Sequence, residues 1–172
     1  EFTGTMSAKM FVESETEDAD LFLVVRVFTP DMEEVVFQGA LDPHKPIALG
    51  WLRESHRKLD EDKREEWRPY NAHDEKQPLD PGEIYELDVE IRPSSIQVPE
   101  EYRIGLSVRG NDYEYPGDVD TGLESMEGTF TGVGPFRHDD AEDRPPEVYG
   151  QDVTLHTGSE YPSSVLLPIV PE

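Results

Sequence analysis

The stretch IYELDVEIR, Ile84 to Arg92, alternates between core-type and charged residues along its length. Tyr85, Leu87, Val89 and Ile91 share one face, and Glu86, Asp88, Glu90 and Arg92 share the other. That period of two describes a strand with one face on a core and one in water. Tyr102 to Arg109 repeats the pattern, with Tyr102, Ile104, Leu106 and Val108 inward, and Ser7 to Val12 follows it more loosely through Ala8, Met10 and Val12. Leu21 to Phe28 is nearly continuous apolar sequence broken by Arg26, which suits a central strand covered on both faces. A short buried helix has the same apolar run, but the β-branched content and the Pro30-Asp31 turn favour a strand. Val35 to Ala40 then returns as its hairpin partner. Asp152 to His156 and Val165 to Val170 read as two more strands, the last an edge or a bulge because Pro168 cannot donate to the ladder. About seven short strands with Pro- and Gly-rich turns make an all-β sandwich. One stretch hints at helix: Leu52, His56 and Leu59 share a face, though Gly50 and Asp60-Glu61-Asp62 confine it to a few turns.

The 172 residues are read as one domain, 1–172. The chain has no cysteine, which excludes disulfides, thiolate metal sites and a cysteine nucleophile, and fits a cytoplasmic setting. Asp and Glu total 39 against 15 Lys and Arg, a formal net charge of -24. Such a field argues against nucleic acid and anionic membranes as partners. Strong strand patterning sets aside disorder, the other reading of high charge with low hydrophobicity. The acidic, lysine-poor composition reads as that of a halophile's protein, with a specific acidic binding surface as the competing explanation. No apolar run approaches the roughly 20 residues of a membrane span.

Five blocks carry a resemblance. TGTMSAKMFVESETEDADLFLVVRVFTPD (Thr3 to Asp31), GWLRESHRKLD (Gly50 to Asp60), PLDPGEIYELDVEI (Pro78 to Ile91), YRIGLSVRGNDY (Tyr102 to Tyr113) and LHTGSEYPSSVLLPIVP (Leu155 to Pro171) follow in order. Together they resemble the C-terminal β-domain of the X-Pro dipeptidyl-peptidase and cocaine-esterase (CocE/NonD) group of serine hydrolases. The least generic block is the one around LRESHR. One departure is Met32 after Asp31, where the family's hairpin turn carries Asp-Gly; a two-residue turn with positive φ penalises Met, so the loop is expected to be wider. The resemblance implies a jelly-roll, galactose-binding-like sandwich that follows an α/β-hydrolase catalytic domain in the same polypeptide. In the family that catalytic domain holds a Ser, His and Asp triad and cleaves esters, acyl amides or X-Pro peptides without a cofactor. The β-domain covers it, shapes the active-site entrance and often contributes to homodimer contacts.

The chain's own chemistry is sparse. None of the ten serines lies in a G-x-S-x-G elbow, and Thr157-Gly158-Ser159-Glu160 lacks the second glycine. Ser55 and His56 are adjacent and rarely point at each other, so no catalytic residue is assigned. His44, His56, His73, His138 and His156 form no H-x-x-x-H pair, and no metal site is assigned. Asp118 to Gly122 opens like a calcium loop, but its glycine comes a position early. Trp51, Arg53, His56 and Arg57 are the candidates for contact with the catalytic domain. Arg forks bind carboxylates with two prongs and fix a loop in place. The alternative function is an independent carbohydrate- or ligand-binding module, with Trp51, Tyr113 and Tyr115 as aromatic platforms.

Molar salt shortens the Debye length to about 3 Å and removes most self-repulsion. The melting temperature is therefore expected to rise strongly from low to molar KCl. A flat response refutes the halophilic reading.

Overall fold

The computed structural model describes residues 1–117 and 130–171. Its described strands are β1 (Phe2–Ser14), β2 (Asp20–Phe28), β3 (Glu34–Val35), β4 (Ala48–Arg53), β5 (Ile84–Ile96), β6 (Arg103–Arg109), β7 (Val153–His156) and β8 (Ser164–Leu166). All pair antiparallel in one curled sheet. Among the described residues, helix is limited to a 3₁₀ turn at Glu54–His56 and a short α-helix, α1 (Pro146–Tyr149). None is long and apolar enough to cross a membrane. The Asp118 to Gly122 loop lies outside the described residues.

The sheet has two halves. In one, β2 lies between β6 and the pair β4 and β3; in the other, β1 lies between β5 and the pair β7 and β8. They join where Gly50 of β4 pairs with Ile91 of β5. Met6, Ala8, Met10 and Val12 of β1, Leu21, Leu23, Val25 and Val27 of β2, and Leu87, Val89 and Ile91 of β5 then meet in one buried cluster. Each of the Met, Val, Leu and Ile side chains among them contributes about 1.5–3 kcal/mol on burial.

The long strands match the alternation. β2 is buried from Asp20 to Val25 and pairs on both edges, as its near-continuous apolar sequence requires. Its second face, with Phe22 and Val24, is roofed by the loops that precede and follow the undescribed segment. His138 meets the Phe22 ring edge-on at 5.4 Å, and Arg26 sits 5.8 Å from the Tyr113 ring. Asp42 pins this roof: its buried carboxylate accepts N–H bonds from Gly132 and Gly134, both 2.7 Å, and from His44 at 2.8 Å. Gly132 is required there, since its φ is +128 and a Cβ would run into Tyr113.

Several boundaries differ from expectation. The helix hinted at by Leu52, His56 and Leu59 is instead the end of β4 followed by the 3₁₀ turn. Pairing of Leu52 with Leu21 and of Arg53 with Asp20 outweighs the local helical spacing. Val35 to Ala40 contributes only Val35 to its hairpin, because β4 occupies the β2 edge from Asp20 to Val25 and leaves Val27 and Phe28 for β3. The turn itself is wide, running from Thr29 to Glu33, and Met32 still takes φ +66 within it. Ile104 is 45 % exposed, since β6 is an edge strand paired only with β2. β8 stops at Leu166, and Pro168 accepts a bond from the Thr3 N–H without donating one. β5 runs on through Pro93 to Ile96, past the expected end at Arg92, across a register shift opposite Gly4 and Met6. A bulge tolerates the proline because it interrupts the ladder.

A Cβ on Gly50 would lie 2.5 Å from the Glu90 carbonyl and 2.9 Å from the Ile91 side chain. Gly50→Ala is expected to cost about 2–3 kcal/mol, read as a lower urea midpoint. Gly110→Ala, with open space around it, should change little.

Candidate functional site

β4 alternates across the sheet, so Ala48, Gly50 and Leu52 turn inward while Trp51 and Arg53 turn outward. Their cross-strand partners on β2 are Phe22 and Asp20. Glu90 and Arg92 of β5 emerge beside them. An open cleft of about 710 Å³ lies over these strands, walled by Tyr70, Asn71 and His73 and by His138, Asp143 and Arg144.

A four-residue ionic frame holds one wall. Asp20, nearly buried, accepts Arg53 Nε at 3.0 Å and Arg144 Nε at 2.6 Å. Asp143 takes the other side of Arg53 at 3.1 Å and Arg144 at 2.6 Å. Burial alone would lower the Arg53 pKa, but bonds to Asp20 and Asp143 outweigh it and raise it. Arg53 in turn holds Asp143 below the usual carboxylate range. The Arg53 guanidinium also lies 4.6 Å from the Tyr149 ring centre. Arg92 covers Trp51 at 4.5 Å, and the indole Nε1 points to the His138 ring edge, 3.0 Å from Nε2. His138 is itself fixed by Asp112, through its backbone N–H at 2.6 Å and Nδ1 at 3.0 Å.

Ser55 and His56 diverge. Ser55 is buried, its Oγ donating to Asp18 Oδ2 at 2.7 Å and its N–H to Oδ1 at 3.0 Å. His56 turns into the cleft, where its Nδ1 lies 3.3 Å from Nδ1 of His73. Arg57 points elsewhere: it donates to the carbonyls of Gln77 at 2.5 Å and Glu54 at 3.2 Å and covers the Tyr85 ring at 4.5 Å. Three of the four interface candidates, Trp51, Arg53 and His56, thus line one cleft, and Arg57 braces the turn behind it. Of the proposed aromatic platforms, Tyr113 is only 2 % exposed and Tyr115 stacks on His44 at 4.8 Å, so neither adjoins Trp51. No group of three or more His, Cys, Asp or Glu among the described residues could hold a metal ion.

Two carboxyls at this corner are pushed in opposite directions. Burial raises Asp18, but donors from the Ser55 side chain and backbone, Tyr149 and Lys76 more than offset it and hold Asp18 low. Glu54, fully buried, has no hydrogen-bond partner on either oxygen among the described residues. Burial, then the Asp18 charge, pushes it up to about 7, with Arg57 opposing. Sequence reasoning missed Glu54, as well as Asp20, Arg92, His138 and Arg144. The Glu17-Asp18-Ala19-Asp20 stretch lies within the Thr3 to Asp31 block that carries the resemblance. Nothing in the sequence, however, announces His138, which lies 87 positions from Trp51.

The family model of the X-Pro dipeptidyl-peptidase C-terminal non-catalytic domain matches residues 1–166. The chain belongs to that family. Two crystal structures of a CocE/NonD family hydrolase from Staphylococcus aureus share the fold, each with a TM-score of 0.76 at 23% identity. The alignments cover 98% and 99% of this chain and 28% of each hydrolase chain, so the domain spans just over a quarter of those proteins. A comparison with curated protein sequences finds no match. In this family, Ser55 and His56 belong to a non-catalytic domain, in keeping with their divergent side chains.

Glu54 binds its proton more tightly in the fold than in the unfolded chain, since its folded pKa, about 7, lies above the ordinary value of 4.5. Stability is then full below about pH 4.5, falls as pH rises toward 7 and levels off above it, a loss on the order of 3 kcal/mol. Glu54→Gln removes this titration. The stability difference between wild type and Glu54→Gln should therefore shift in the variant's favour from pH 5 to pH 8 in urea titrations. A constant difference would show that Glu54 does not titrate there.

Proposed function

We propose that residues 1–172 act as one jelly-roll, galactose-binding-like domain that packs on an α/β-hydrolase catalytic domain of the same polypeptide. The parent reaction on this reading is acyl transfer to water by a Ser, His and Asp triad in that domain, on an ester, acyl amide or X-Pro peptide. This chain contributes no reacting atom; it shapes substrate access and supports assembly, including a homodimer. The observation that carries the reading is the braced cleft of Trp51, Arg53 and His56. Trp and Arg dominate the binding energy of interfaces, and here they stand on strands with their rotamers held by Asp20, Asp143 and His138. Membership of a non-catalytic domain family supports the same reading. The cysteine-free, acidic composition supports a cytoplasmic, salt-adapted setting. For the independent ligand-binding module, the burial of Tyr113 removes one platform.

Hydrogen exchange tests the docking. Amides of Trp51 to His56 and His138 to Arg144 are expected to exchange about ten-fold or more slowly in the full-length protein than in the 172-residue chain. Trp51→Ala should remove much of that difference. Equal exchange in both proteins would overturn the reading, as would an upstream coding region with no G-x-S-x-G elbow.

A further inference from the structure

We propose that His56 and His73 form a chelating site for a borderline-soft divalent transition-metal ion, of the zinc or nickel class, on the wall of the cleft. The two residues lie 17 positions apart, one ending the 3₁₀ turn after β4 and the other in the long connection to β5. Their Nδ1 atoms are 3.3 Å apart. Two imidazole nitrogens each bound at about 2.0–2.1 Å to one tetrahedral ion stand roughly 3.3–3.4 Å apart, so the pair already has the bite of a chelate. The same separation admits an N–H···N bond when one ring carries its proton on Nδ1, and an ion bound by both rings replaces that bond.

The surrounding backbone sets this spacing. Residues 58–60 and 70–72 pair antiparallel: Asp60 N–H donates to the Tyr70 carbonyl at 2.8 Å, Ala72 N–H donates to the Lys58 carbonyl at 2.9 Å, and Leu59 bridges Asn71. Lys58 also binds Asp74 at 3.0 Å. His73 is thereby held at φ +52, a left-handed conformation that a non-glycine residue keeps only when its surroundings impose it. The rings meet nearly end to end, with centroids 5.5 Å apart. To bind an ion seated beside the N–N line, each ring turns by roughly 35° to aim its Nδ1 lone pair at it, and both side chains have room to do so, His73 being exposed and His56 half-exposed on the open cleft. Imidazole selects zinc, nickel and copper over magnesium and calcium, which prefer oxygen. With two protein ligands, water completes the coordination, and the ion exchanges readily. The chain's net charge of -24 concentrates cations of every kind, so the test has to separate chelation from this general attraction.

The experiment is calorimetric titration of the untagged 172-residue chain with zinc chloride and with nickel chloride, in 1 M KCl and millimolar magnesium. One ion per chain is expected. His56→Gln and His73→Asn should each weaken it at least ten-fold, the second keeping a residue that tolerates the left-handed backbone. His156→Ala, on β7 and outside the cleft, should bind as wild type. Circular dichroism establishes that each variant is folded. Absence of binding at millimolar zinc and nickel overturns the site, as does equal binding in both cleft variants or displacement of the ion by magnesium. These outcomes concern the chain alone, so they are independent of whether the cleft docks a catalytic domain.

Discussion

One backbone pair, Gly50 against Ile91, joins the β6-β2-β4 half of the sheet to the β5-β1 half. The strands approach so closely that a methyl group on residue 50 would meet the Glu90 carbonyl. That contact lets the sheet curl until β1, β2 and β5 share one core. It also fixes the phase of β4. With Gly50 inward, Trp51 and Arg53 must emerge outward, beside Asp20 and Phe22 of β2 and beside Glu90 and Arg92 of β5. The cleft follows from the packing constraint at Gly50.

The corner that follows β4 is polar, and it is held together unevenly. Asp18 gathers donors from Ala19, Ser55, Tyr149 and Lys76, which compensate for its burial. A buried carboxylate with that many donors is stable as an anion. Glu54, one residue before Ser55, has none, and it lies in the field of the Asp18 charge. Burial raises Glu54 most, and the charge of the satisfied carboxylate adds to it. Glu54 opens the 3₁₀ turn that carries His56, and Asp18 holds its Ser55, so the protonation of Glu54 bears on the stability of the segment that positions the cleft wall.

The long strands could be read in the sequence because their faces differ: YELDVEI admits only one register against a core, and LFLVVRVF needs cover on both sides. The strand that organises the cleft was not legible in the same way. In IALGWLR the inward positions are Ala48, Gly50 and Leu52, and the outward ones include Leu49 and Trp51, so hydrophobicity does not alternate. Leu52, His56 and Leu59 then match a helical face by coincidence, and a glycine that marks close backbone approach reads as a helix breaker. The site was legible in part. Trp51, Arg53 and His56 stood out as an indole, a guanidinium and an imidazole in an acidic chain, whereas Asp20, His138, Arg144 and His73 reach them only through tertiary folding. No local signal encodes such contacts.

Among the cations of the cleft, the structure redistributes the roles that composition assigned. Arg53 was conspicuous in the sequence, yet its guanidinium is committed to Asp20 and Asp143 and packs on Tyr149. Arg144 is committed to the same two carboxylates. A guanidinium bonded on both sides has few donors left to offer a partner, and separating it from two carboxylates to make new bonds gains little. Arg92 differs: it lies over the indole of Trp51 at 4.5 Å. Its stem and the indole together present a flat surface with a cationic edge. Trp51 and Arg92 thus form an exposed aromatic and cationic surface of the cleft, and Arg53 and Arg144 form its rigid margin.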